Sequence, residues 1–89
     1  RERRRVDDAV TMPMLRVHAF WDADAGVFVA TSDDVPGLVT EAETFEALCA
    51  KLRVMIPELL EDNGIAGSGA DVPFTVLAER LEHARGADG

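Results

Sequence analysis

The stretch Trp21 to Leu38, WDADAGVFVATSDDVPGL, constrains the fold more than any other part of the chain. An apolar run, MLRVHAFW, stops at an acidic turn, and a second run, VFVAT, follows at once. That run stops at Asp33-Asp34-Val35-Pro36-Gly37. Runs of strand length this close in sequence pair as an antiparallel hairpin. Asp22-Ala23-Asp24-Ala25-Gly26 is its loop, with Gly26 placed to take positive φ. Pro36 fixes φ and lacks a donor, and Gly37 can adopt the left-handed conformation that a type II turn needs.

The remaining elements follow from periodicity. Met14 to Trp21 reads as a strand, with Leu15, Val17, Ala19 and Trp21 on a core face and Met14, Arg16, His18 and Phe20 on a mixed face. Val27 to Ser32 is its partner, and Leu38 to Glu41 is a short third strand completing an antiparallel meander. Thr44 caps a helix, with Glu46 in the first turn to complement the macrodipole. Phe45, Leu48, Cys49, Leu52, Met55, Ile56, Leu59 and Leu60 form its apolar stripe, which ends at Asn63-Gly64. Pro57 predicts a kink or break near Val54 to Ile56, or else the first position of a separate short helix. Gly64 to Asp71 reads as a flexible loop. Val72 to His83 is ambiguous by pattern: Phe74, Val76 and Ala78 alternate, whereas Leu77 and Leu81 sit at helical spacing. Topology favours a strand, because a right-handed return through the helix places a parallel strand beside the first. The expected fold is α+β, a small β-β-β-α-β domain over residues 14–83. Residues 1–13 read as a flexible basic arm and 84–89 as a tail.

Eighty-nine residues allow one domain with a thin core. An apolar fraction of 47% argues against disorder. A thin core with many apolar residues favours covering one face in a homo-oligomer. The formal charge is −8; Arg1, Arg3, Arg4 and Arg5 against Glu2 contribute +3, so the other residues carry −11. A body this acidic repels phosphate backbones and suits a basic protein partner, and the same charge also serves solubility. Cys49 is the one cysteine, which excludes an intramolecular disulfide and fits a reducing, cytoplasmic setting. No apolar stretch approaches the length needed to span a membrane.

Chemistry-bearing constellations are few. His18 and His83 fall on different elements without metal-ligand spacing, and Cys49 lies on the apolar stripe as a small hydrophobe. Asp22 and Asp24 echo the start of a calcium loop, but the later ligands and closing Glu are missing. Asp22, Asp24, Asp33 and Asp34 read instead as turn formers and an electrostatic face. The expectation is a protein that is not an enzyme and needs no cofactor or metal.

One family shares this order of features. The ordered residues Gly26, Val29, Ala30, Asp34, Val35, Pro36, Gly37, Leu38, Val39, Thr40, Glu43, Thr44, Phe45 and Glu46 resemble the motif of the HicB-like antitoxin superfamily. With PELLEDNG ending the helix, the chain looks most like a compact branch catalogued as a domain of unknown function. The resemblance covers about residues 14–83. It implies a truncated relative of the RNase H fold, formation of dimers or higher oligomers, and neutralisation of a HicA-type toxin, a small basic RNase. It marks Gly26, Pro36, Gly37 and Thr44 as structural. Partner contacts are expected at the acidic turns, Asp22, Asp24, Asp33 and Asp34, and on the exposed strand face. Many relatives carry a separate DNA-binding module; only a short tail follows the last strand here, so operon autorepression is expected only if the Arg1–Arg5 arm continues an N-terminal piece. RNase H chemistry needs converging carboxylates, whereas the first strand offers Arg16-Val17-His18. The alternative is a stand-alone oligomeric or small-ligand-binding module without a toxin.

Overall fold

A computed structural model describes residues 14–65 and 71–86. The expected basic arm at 1–13 lies outside the described residues, as do most of the glycine loop and residues 87–89. Strand β1 spans Leu15–Asp22, β2 Val27–Thr31, β3 Val39–Ala42, helix α1 Phe45–Asp62 and β4 Phe74–Glu79. The sheet order is β3-β2-β1-β4, with β1 antiparallel to β2, β2 antiparallel to β3, and β4 parallel to β1. This is the α+β, β-β-β-α-β arrangement expected, with the fourth strand beside the first. Residues 84–86 belong to no helix or strand.

The alternation of β1 sets the two faces of the sheet. Leu15, Val17 and Ala19 are buried, and Arg16, His18 and Phe20 are exposed. Register aligns the inner rows across strands. Ala30 and Ala78 flank Ala19, Phe28 joins Trp21 to Ala42, and Val76 and Phe74 sit beside Val17 and Leu15. Small side chains in the middle row leave room for the helix. Leu48, Leu52, Ile56 and Leu60, four residues apart, are each fully buried against it. At about 1.5–3 kcal/mol per buried aliphatic side chain, this row is the main source of stability in so small a domain.

Both ends of α1 are closed by side chains or by glycine. Thr44 Oγ1 accepts from the Ala47 amide at 3.0 Å. At the other end the Gly64 amide donates to the Glu61 carbonyl and the Ile65 amide to the Leu60 carbonyl, with Gly64 at φ 71°. That is a Schellman closure. Pro57 does not start a second helix; the 18 residues form one element. Pro57 is exposed while its neighbour Ile56 is fully buried. The missing donor therefore falls on the solvent side, where helical hydrogen bonds are already long, and the buried stripe continues on either side.

The third strand begins one residue later than the sequence reading placed it. Leu38 lies outside β3 and is buried, as is Val35, and Val39 is exposed. Val35 and Leu38 are the ends of the turn over Pro36-Gly37, closed by Leu38 N–H donating to the Val35 carbonyl at 3.2 Å, with Gly37 at φ 85°. The corner thus drives two apolar side chains into the core, beneath Leu59, whose Cδ2 lies 3.7 Å from where a Gly37 Cβ would sit. At the hairpin loop Gly26 has φ 72°, and its amide donates to the Asp22 carbonyl at 2.8 Å.

The β1–β2 ladder starts at His18 opposite Thr31, so Leu15 to Val17 have no strand partner on that side. Side chains continue the bonding. The Arg16 amide donates to Asp34 Oδ2 at 2.9 Å, Ser32 Oγ donates to the Arg16 carbonyl at 2.6 Å, and the Asp34 amide donates to Ser32 Oγ at 3.0 Å.

Two substitutions test these devices. Gly37→Ala should destabilise by about 1–2 kcal/mol, the cost of the left-handed conformation for a residue with a Cβ; a denaturant midpoint equal to wild type contradicts the turn. Asp34→Ala should cost about 1–2 kcal/mol through the lost charge-assisted hydrogen bond to a backbone amide, with faster amide exchange at Arg16. Unchanged exchange there contradicts the side-chain ladder.

Candidate functional site

The helix covers one face of the sheet, nearest β3 and β2. The other face carries no element among the described residues. Register orders its side chains into rows. One row runs Glu41, Val29, Phe20, Glu79, and the next runs Val39, Thr31, His18, Leu77, with Arg16 beside Thr75 below. Phe20 is 44% exposed and Val39 and Leu77 are each 67% exposed. The first row thus has an apolar centre bracketed by a carboxylate on each edge strand. His18 Nε2 lies 2.8 Å from Glu79 Oε1 on this face, and both side chains are at least half exposed. A pair this exposed contributes little stability.

Where β2 ends and β1 continues, the face opens into a cleft of about 710 Å³. Arg16, His18, Thr31, Asp33, Thr75 and Leu77 line it. Ser32 and Asp34 form one wall, with their polar atoms turned to the backbone as described above. Groups of three or more His, Cys, Asp or Glu side chains placed to hold a metal ion are absent among the described residues. Cys49 is a half-buried free thiol, and His83 is exposed, four residues past the end of β4.

The four aspartates do not form one cluster. Asp22 and Asp34 sit at opposite ends of β1, six residues and therefore about 20 Å apart. Asp22 Oδ1 accepts from the Asp24 and Ala25 amides at 3.1 and 3.2 Å, and Asp34 accepts from Arg16. These two carboxylates hold turns, which is how short acidic side chains serve tight connections. Asp24, Asp33 and Asp34 are exposed, and Asp22 is half-buried. Gly26, Pro36, Gly37 and Thr44 occupy the turn and cap positions expected of them.

Three features are absent from the sequence reading. Ser32 links Arg16 to Asp34. His18 meets Glu79. Arg80 lies over the Trp21 ring, 4.2 Å from its centroid. Trp21 packs edge-on against Phe28 at 4.9 Å, and Phe28 against Phe45 at 6.4 Å, so the guanidinium closes an aromatic stack on the helix side. A basic residue just past β4 was the available signal for Arg80; the pairings themselves depend on the β1–β4 register.

Helices long and apolar enough to cross a membrane are absent among the described residues. No curated protein matches the chain. A crystal structure of a hypothetical protein from the extremely thermophilic bacterium Thermus thermophilus matches with 51% identity. The match covers 82% of this chain and 99% of that one, with a TM-score of 0.62. A family model described as a domain of unknown function, DUF1902, matches residues 14–86. By that match the chain belongs to the DUF1902 family.

Proposed function

We propose that this domain is a non-catalytic interaction module of HicB-like type, self-associating, that binds and neutralises a small basic RNase of HicA type. The observation that carries the reading is the sheet face that no element among the described residues covers, with Phe20 and Val29 between Glu41 and Glu79. An apolar centre with an acidic rim fits a basic protein surface better than it fits a nucleic acid, whose phosphates the net charge of −8 repels. Asp24 and Asp33, at opposite ends of the face, extend the acidic rim and would speed encounter with a cationic partner. The turn-forming roles of Asp22 and Asp34 leave them as supports for that rim.

A second reading rests on the cleft beside Arg16 and His18. A stand-alone module of this fold would use it to hold a small ligand, with Arg16, Thr31 and Thr75 as polar contacts. The acidic surface then serves solubility alone.

Titration of a purified basic RNase of HicA type distinguishes the two. On the first reading RNase activity disappears at one equivalent of this chain. Phe20→Ala should weaken the complex about thirtyfold, as loss of about 2 kcal/mol at a central aromatic anchor implies. Asp33→Lys should mainly slow association, and the more so at low salt. RNase activity that persists at stoichiometric ratios contradicts the antitoxin reading.

A further inference from the structure

The two edges of the sheet are not equally protected. Edge β3 has four residues, and Lys51 Nζ donates to the Glu41 carbonyl at 2.6 Å, occupying a backbone acceptor there. Edge β4 has six residues, Phe74–Glu79, bonded through β1 on one side. It contains no proline, glycine or lysine, and among the described residues nothing pairs with its other side. Native sheets normally blunt such an edge with charge, proline, a bulge or a covering element. At its middle stands Leu77, with Leu81 still more exposed just beyond the strand.

Charge separates this edge from the rest of the surface. Residues 14–65 hold Arg16, Lys51 and Arg53 against ten carboxylates, a net −7. Residues 74–86 hold Glu79 and Glu82 against Arg80 and Arg85, a net of zero. Within this segment Arg80 Nε pairs with Glu82 at 2.6 Å, and Glu79 Oε1 lies 2.8 Å from His18 Nε2. A basic partner is drawn to the acidic region. The electroneutral edge is the place where two copies of an acidic chain meet without repulsion.

We propose that the open edge of β4 docks a second copy of this chain, β4 pairing antiparallel with β4 to join two sheets into one of eight strands. A two-fold axis normal to the sheet preserves its faces, so residues paired across it must point to the same side. An axis at Leu77 sets Leu77 against its own copy and Thr75 against Glu79, so no carboxylate opposes a carboxylate. An axis at Val76 instead sets Glu79 against Pro73, which has no N–H to contribute to the ladder. A strand pair of this length buries less than a standard interface, and such small interfaces are typical of weak, reversible association, on the order of micromolar. The inference shares with the proposed function only the expectation of self-association and leaves the outer face free for another protein.

Sedimentation equilibrium of the full chain from about 5 to about 500 μM spans that affinity. The mass should rise from 9.6 kDa toward twice that value. Leu77→Lys, an exposed position on the edge, should raise the dissociation constant at least tenfold with an unchanged far-ultraviolet circular dichroism spectrum. Phe20→Lys, on the central strand, should leave the dimer intact. Hydrogen exchange of the unaltered chain should slow with concentration at amides within 74–79, a readout that does not depend on any variant folding. A mass of 9.6 kDa throughout overturns the proposal. So does a dimer that Leu77→Lys leaves unchanged, or one that Phe20→Lys abolishes, which would mark face-to-face packing. β4 amides protected equally at all concentrations also overturn it, because the edge is then filled by the chain itself. No toxin is present in these measurements, so their outcome leaves the antitoxin reading to its own test.

Discussion

Among the described residues one helix has to cover a four-stranded sheet, and one helix can cover one face. Everything else in the molecule follows from that constraint. Leu48, Leu52, Ile56 and Leu60 are fully buried on the inner face, where the row Ala30-Ala19 gives the helix room to approach. The outer face receives nothing comparable from the described residues, so Phe20, Val39 and Leu77 stay in water. A domain of 89 residues gains too little from its core to carry exposed apolar area without consequence. The half-covered sheet is therefore both the weakness of the fold and the best argument for what it does.

The Pro36-Gly37 corner makes the one-sided arrangement stable. It turns the chain from β2 into β3 and at the same stroke buries Val35 and Leu38 against the helix. Its neighbours Ser32 and Asp34 complete the bonding of β1 where β2 has ended. The acidic character of this segment thus has two sources. Asp34 accepts from a backbone amide, as Asp22 does at the opposite turn, and Asp24, Asp33 and Asp34 are all exposed. Edge and face then divide the remaining surface, the neutral β4 edge suited to a second copy and the acid-rimmed face suited to a basic protein.

Much of this was legible in the chain. Strict alternation in LRVHAFW assigned both faces of β1, and the stripe on α1 named its buried residues, because burial on one side imposes a period that sequence displays directly. Topology placed β4 parallel to β1 despite an ambiguous pattern. Leu38 misled, since an apolar residue next to a strand looks like strand when it is in fact the plug at the end of a turn. The alternation of faces nevertheless runs on from Leu38 through Ala42, so only the boundary of β3 moves. Pro57 could not be resolved from sequence, because its effect depends on which side of the helix meets water. The contacts of His18 with Glu79 and of Arg80 with Trp21 depend on a register between strands some sixty positions apart, His18 and Glu79 being 61 apart. No local pattern encodes it. The separation of the two acidic turns is a matter of strand length, and sequence proximity of the aspartates hides it.

The account stands on the outer face of the sheet being the surface that meets a partner. The most direct measurement is the change in backbone amide chemical shifts when one equivalent of a basic RNase of HicA type is added to the isotope-labelled full chain. The account predicts changes concentrated at Arg16, His18, Phe20, Val29 and Val39, with Glu46, Arg53 and Glu58 on the exposed side of the helix unmoved. Changes confined to that side of the helix, with the sheet face silent, would contradict it.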